Sequence, residues 1–278
     1  MFEVKIFCDG GLGNRLNSLV TGMFLSQKIS RPWSVIWPMN NWCGASFHDL
    51  LEMPVQVHDW SVHDIFSEAN LDLIISVANF NNCNLRNFQH PTPAAVVAAQ
   101  NWPGGITWCH NKIPKWINKK DIDQSRPAIK ARSDLLTEAQ AFCLEHNIDG
   151  KVQGVHLRKT DFGFMQDESS LLRKISGSNQ RFFICSDDAN TEQKFATLPN
   201  VIIRPKVSYV TKLRPGAWNQ AVIDSQSLPT NYNVNRNSDS VREALIDLVV
   251  LGRTHIVTKS TSTFQAWAPH FGQQRPNL

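Results

Sequence analysis

The sequence predicts a parallel α/β fold arranged as two lobes, and three observations carry that prediction. Short apolar runs rich in Val, Ile and Phe alternate with longer segments of helical period. This alternation occurs twice, separated by a polar stretch between residues 111 and 133. At three places a motif of glycines, cations or hydroxyls follows directly on a predicted strand. In open parallel sheets that C-terminal edge is where ligands bind.

In the first half, strands are expected at residues 4–8, 34–37, 73–77 and 106–109. Residues 12–27 place Leu16, Leu19, Val20, Met23 and Phe24 on one helical stripe. The lobe junction falls in the polar stretch, which divides the chain into lobes 1–133 and 134–278. The second half opens with a helix over 135–146, ended by Asn147 and Gly150, and continues with strands at 152–157, 182–185, 201–203 and 255–258. Residues 205–240, rich in Asn, Ser, Pro and Gly, read as a long irregular excursion. Ser240-Val241-Arg242-Glu243 matches a capping box that opens a helix over 241–251, stopped at Gly252. A short helix is expected near 265–268, before Pro269.

Composition narrows the function classes. With 42% hydrophobic residues in 278, the chain can build sizeable cores. A net charge of +4, dispersed along the sequence, does not make a nucleic-acid groove; it suits a small anionic substrate or an ordinary surface. The six cysteines, at 8, 43, 83, 109, 143 and 185, contain no CxxC pair, so neither a disulfide framework nor a zinc site is expected. No basic segment precedes an apolar one at the N-terminus, and no apolar run reaches the roughly 18 residues of a membrane span, so a cytoplasmic protein is expected. The histidines at 48, 58, 63, 90 and 110 lack metal-ligand spacing, and the one DxD, Asp121-Ile122-Asp123, lies in the polar junction. No metal is expected.

The first motif is Asp9-Gly10-Gly11-Leu12-Gly13-Asn14-Arg15, between strand and helix. Glycines let a backbone approach a phosphate or sugar closely, and a helix N-terminus favours anions. As a dinucleotide fingerprint it fails twice: Leu16 stands where the third Gly would be, and residues 10–48 hold no acid for a ribose. A tight turn without a ligand remains the alternative. The second motif is Gly154-Val155-His156-Leu157-Arg158-Lys159-Thr160-Asp161. Alternation puts His156 and Arg158 on one face at the strand end, where Arg158 can hold a diphosphate with a bidentate contact. Asp161 can orient an Arg or cap the next turn, and for Lys159 a surface ion pair is the preferred reading. The third is Thr258-Lys259-Ser260-Thr261-Ser262-Thr263-Phe264, whose hydroxyls and helix-start amides suit a phosphate cradle or simple capping.

Asp247 is the one polar side chain within residues 244–251. A buried carboxylate needs a partner; guanine, with its adjacent N–H and NH₂, is one candidate, and Arg242 or Arg253 is the structural alternative. Asp187-Asp188 follows another strand and can touch hydroxyls or simply make a turn.

Gly10-Gly11-Leu12-Gly13-Asn14, then His156-Leu157-Arg158-Lys159-Thr160-Asp161, then Ser262-Thr263-Phe264 resemble, in that order, the motifs of α1,2-, α1,6- and protein O-fucosyltransferases. The stretch from Asp247 to Ser262 is similar to the α1,6 members, which include rhizobial Nod-factor enzymes. The resemblance implies a GT-B-like fold of two Rossmann-like lobes facing across a cleft, the first on the acceptor side and the second binding the donor. It implies metal-free, inverting transfer of fucose from GDP-fucose to a hydroxyl of an oligosaccharide or glycoconjugate. It would place Arg158 at the β-phosphate and His156 and Asp247 at the nucleoside end. Thr261, Ser262 and Thr263 would meet the phosphate, Gly11, Gly13 and Asn14 would face donor sugar and acceptor, and Arg158, Asn14 and Asp161 would form the catalytic set. Two departures stand out: Lys159 replaces a second Arg, and Gln166, followed by Asp167 and Glu168, stands where α1,6 enzymes carry a Glu proposed as base. A nucleotide-sugar-binding protein without transferase activity, a transferase of another GDP-sugar, and a dehydrogenase are the competing readings.

Overall fold

The computed structural model describes residues 2–60, 72–76, 88–110, 112–160, 168–218, 233–257 and 262–276. Packing divides the chain into two units, the first built mainly from Met1–Trp42 and Met53–Ile129, the second from Cys43–Glu52, Lys130–Asp224 and Pro229–Leu278. Among the described residues, the division departs from two contiguous lobes at Cys43–Glu52, which packs with the second unit. Backbone pairing explains it. Gly44 N–H donates to Arg236 O at 2.7 Å, and Glu52 N–H to Lys130 O at 2.9 Å. The Glu52 carboxylate accepts from Ser133 N–H at 2.8 Å.

The first unit is a six-stranded sheet in the order β3-β2-β1-β6-β4-β5. Its strands are β1 (Val4–Phe7), β2 (Trp33–Ile36), β3 (Val57–His58), β4 (Leu73–Ser76), β5 (Phe88–Gln89) and β6 (Ile106–Cys109), and every pairing is parallel. Four of these fall within two residues of the expected strands; β3 and β5 escaped the sequence because two residues show no periodicity. Helix α1 (Leu12–Ile29) lies on β1, with Gly22 so close to Ile6 that no Cβ would fit between them. Trp108 of β6 donates its indole N–H to Thr21 of α1 at 2.9 Å. After α2 (Phe47–Leu50) of the second unit come α3 (Pro93–Asn101), capped by Thr92, and α4 (Lys119–Ser125), capped by Asn118.

The second unit is a four-stranded parallel sheet, β10-β7-β8-β9. Its strands are β7 (Gln153–Leu157), β8 (Phe182–Ser186), β9 (Val201–Ile202) and β10 (His255–Ile256). Helices α5 (Ser133–Glu145), α6 (Glu168–Ser176), α7 (Ala189–Ala196), α8 (Ser238–Leu251) and α9 (Ala268–Gly272) complete it. Val155, Leu157, Ile175, Phe182, Ile184 and Phe195 form a buried cluster. Gly154 lets the α8–β10 connection close on β7, where a Cβ would run into Thr254 and Leu251.

Two local expectations are corrected. Helix α8 starts at Ser238, with Asn237 as its cap accepting from Ser240 N–H at 2.8 Å, so Ser240 does not open a capping box. Glu243, the box's other member, instead accepts from Val207 N–H at 2.9 Å. Pro269 sits in the first turn of α9 instead of ending a helix, because that position needs no N–H partner.

Both sheets reverse strand order at a central strand. In the first, β2 and β3 extend to one side of β1 and β6, β4 and β5 to the other. In the second, β8 and β9 lie on one side of β7 and β10 on the other. Connections leaving neighbouring strands at such a point open a crevice at the carboxyl edge. The glycine motif leaves β1, the His156–Arg158 motif ends and leaves β7, and the third motif follows β10.

Candidate functional site

In the second unit, strand alternation buries Val155 and Leu157 and leaves His156 and Arg158 partly exposed at the strand end. The two share a face, as expected. The His156 ring lies 5.0 Å from that of Phe264, centroid to centroid. That contact joins the second and third motifs at the β7/β10 switch point. Ser262 and Thr263, just before Phe264, are half-buried. Asp161, Thr261, Gln166 and Asp167 lie outside the described residues.

The chain leaving β7 is held by Asp187, which follows β8. Its carboxylate accepts from Lys159 N–H at 2.7 Å and from the Thr160 hydroxyl at 2.6 Å. Asp188 caps α7, accepting from Thr191 N–H at 2.8 Å. Of the two readings of this acidic pair, the turn is the one the geometry supports. Lys159 pairs with Glu168, which Lys194 also meets at 3.3 Å. These cations, Lys159 first, hold the Glu168 carboxyl below its usual range. Lys159 is therefore an ion-pair residue, and Glu168 is already committed.

Asp247 has both carboxylate oxygens engaged, with partners other than Arg242 and Arg253. Arg204 Nε donates to Oδ1 at 2.9 Å, and Lys206 Nζ lies 2.6 Å from Oδ2. Arg204 also meets Glu243 Oε2 at 2.5 Å, and Lys206 meets Glu192 Oε1 at 2.5 Å and donates to Ser186 O at 2.8 Å. Tyr209 donates to Glu192 Oε2 at 2.6 Å. The side chains of Arg204, Lys206, Glu192 and Asp247 are each 5% exposed or less. Burial disfavours both cations, yet Asp247 first, and then Glu243 or Glu192, more than offset it and raise their pKa values. A guanine at Asp247 would share a carboxylate already held by Arg204 and Lys206. Sequence reasoning missed Arg204, Lys206, Glu192 and Tyr209; the one available signal was Arg204-Pro205-Lys206, charge placed directly after the apolar run 201–203.

His156 feels this setting. Burial pushes its imidazole down from 6.5 to about 4; Asp187 and Asp247 oppose the shift, and Arg158 and Lys206 reinforce it. The ring is neutral at pH 7.

In the first unit, the glycine motif forms the turn from β1 into α1. Gly10 adopts φ +83, a conformation that strains any residue with a Cβ. A Cβ on Gly11 would meet nothing, so the turn is open there. The cap of α1 is Gly11, with no side chain to bond the first turn, and no acid occupies that turn. Gly13 is buried and Asn14 half-buried in that first turn. Arg15, fully buried, donates from Nε to Gly10 O at 2.7 Å and from Nη2 to Asn40 Oδ1 at 3.1 Å, with its guanidinium 4.9 Å from the centre of the Trp37 ring. Asn40 in turn donates to Asp9 at 3.0 Å. Asp121 and Asp123 lie on the short α4, where Asp123 pairs with Arg126.

Among the described residues, no group of three or more His, Cys, Asp or Glu could hold a metal ion, and no helix is long and apolar enough to cross a membrane. None of the five described cysteines forms a disulfide.

No protein-family model matches the chain, and no curated protein matches it in sequence. Solved structures do match in fold. The fucosyltransferase NodZ from Bradyrhizobium is similar with a TM-score of 0.60 at 17% identity, over 96% of this chain and 91% of that one. NodZ α-1,6-fucosyltransferase co-crystallised with GDP gives 0.58 at 17% identity, over 96% and 91%. POFUT1 in complex with GDP-fucose gives 0.52 at 10% identity, over 99% and 96%.

Two outcomes follow from this geometry. Lys206→Met should destabilise the protein by about 3–5 kcal/mol in urea unfolding, since it takes the cation from buried Glu192 and from Asp247 Oδ2, leaving Asp247 with Arg204 alone; a loss under about 1 kcal/mol would mean the network is not stabilising. For His156, the unfolded chain binds a proton near 6.5 and the folded one near 4. Its contribution is therefore retained above pH 6.5 and lost as pH falls from 6.5 towards 4. Unfolding curves across that window should flatten in His156→Gln relative to the native chain.

Proposed function

A chain with the two-lobed, Rossmann-like fold of fucosyltransferases is the premise; we propose that it is a glycosyltransferase that moves fucose from GDP-fucose to a hydroxyl of a glycan or glycoconjugate, with inversion and without a metal. The observation that carries this reading is the contact of His156 with Phe264 at the β7/β10 switch point, with Arg158 two residues on at the same strand end. The fold likeness supports it, because similar structures include complexes with GDP and with GDP-fucose.

Arg158 is assigned to the β-phosphate. As the bond from fucose to GDP breaks, charge builds on that phosphate, and a fixed guanidinium stabilises it more in the transition state than in the ground state. Thr261, Ser262 and Thr263 offer hydroxyls to the same diphosphate, and neutral His156 lies at the nucleoside end. Asp161 stays with Arg158 in the catalytic set. Asp247 is assigned with His156 to the nucleoside end, its carboxylate held in place by Arg204 and Lys206. In the first unit, Gly11, Gly13 and Asn14 belong to the acceptor and donor-sugar side. The competing reading, a GDP-sugar-binding protein without transfer, is favoured by Gln166 and by the commitment of Glu168 to Lys159 and Lys194.

A thermal-shift panel of GDP, GDP-fucose, GDP-mannose, UDP and NAD comes first: the guanosine nucleotides should raise the melting temperature and NAD should not. Arg158→Ala should then keep its fold and lose about 10²–10³ in GDP-fucose turnover. Near-native turnover in that variant refutes the phosphate assignment, and tight GDP-fucose binding with no turnover by the native chain favours the binding protein.

A further inference from the structure

In the second unit, the carboxyl end of β8 has no strand beside it on the β9 side among the described residues. Strand β9 is two residues long, and its pairing with β8 stops at Phe183 opposite Ile202. Pro205, three residues on, has no N–H to give a ladder. On the other side β7 accompanies β8 as far as Leu157 opposite Ser186, one position short of Arg158 and Asp187.

Two side chains stand in for the missing strand. Ser186 N–H donates to Glu192 Oε1 at 2.7 Å, and Ser186 C=O accepts from Lys206 Nζ at 2.8 Å. Lys206 and Glu192 meet each other at 2.5 Å, with their side chains 4% and 3% exposed. Tyr209 holds the second oxygen of Glu192, and Asp247 the ammonium of Lys206. Buried backbone groups need partners, but a serine or a water would satisfy these two. Desolvating an ion pair for the purpose costs much of what its attraction returns. What the pair adds is a fixed place for Ser186.

The next residue is Asp187, whose carboxylate accepts from Lys159 N–H at 2.7 Å and from the buried Thr160 hydroxyl at 2.6 Å. That N–H belongs to the peptide group joining Arg158 to Lys159, so the bond sets the plane in which the Arg158 backbone leaves the strand. One connected run therefore leads from the ion pair, through two consecutive residues of β8 and its end, to Arg158. We propose that Lys206 and Glu192 are positioning residues for Arg158, acting through Ser186 and Asp187. This rests on the assignment of Arg158 to the β-phosphate of a GDP-sugar. A guanidinium gains most from a phosphate when its direction is set before the ligand arrives.

The test is calorimetry with GDP and with GMP, which lacks the β-phosphate. It compares the native chain, Glu192→Ala, Asp187→Ala, and each of these combined with Arg158→Ala. Both single variants are expected to weaken GDP about tenfold and to leave GMP within about twofold of native. Neither change should weaken GDP further in Arg158→Ala, where there is no guanidinium left to misplace. A merely structural role lowers the melting temperature without moving the GDP-to-GMP ratio or the coupling to Arg158. Native-like GDP affinity in both variants overturns the proposal. So does an equal loss of GDP and GMP, which would put the effect at the nucleoside end through Asp247. Should Glu192→Ala not fold, Asp187→Ala decides, because Asp187 is only half-buried. There a phosphate-selective loss supports the relay, and native-like GDP affinity overturns it. A native chain that binds neither nucleotide refutes the GDP-sugar reading itself, and this role falls with it.

Discussion

Arg204 and Lys206 grip the two oxygens of Asp247, and much of the second unit is arranged around that grip. Helix α8 is apolar over residues 244–251 apart from Asp247, and the packing that buries its neighbours carries the carboxylate inside with them. A charge there is tolerated only if paired and hydrogen-bonded. The cations come from the segment leaving β9, so the ion pairs tie α8 to the sheet edge. Glu192 extends the tie to α7 and to Ser186 at the end of β8, accepting from Ser186 N–H at 2.7 Å. Tyr209 and Val207 bring the irregular excursion into the same network.

The consequence is a rigid floor at one point of the sheet. His156 stands close enough to Asp247 and Lys206 to feel their charge, and Asp187 fixes the chain just beyond Arg158. A guanidinium assists phosphate departure only if it is already in place, because reorienting it during reaction would cost much of its benefit. Internal pairing of Asp247, Glu192 and Asp187 thus orders the chain around His156 and Arg158.

The two switch points carry different chemistry. The second unit presents Arg158 beside a neutral His156, suited to an anion that gains charge. In the first, a buried Arg15 is spent partly on holding its own glycine turn, beside Asp9 and Asn40.

Four strands of the first sheet, the long helix α1 and the three motif positions were legible in the sequence, because apolar periodicity and turn residues are local properties. So was the shared face of His156 and Arg158, since strand alternation requires it. The sequence also marked Asp247 as a carboxylate in need of a partner. What only the tertiary structure decided is who that partner is: Arg204 and Lys206 lie some forty positions away, and no local rule selects them over Arg242 or Arg253. The same holds for Cys43–Glu52 joining the second unit and for Lys159 pairing with Glu168. Each depends on which strands become neighbours, and burial of the whole chain decides that.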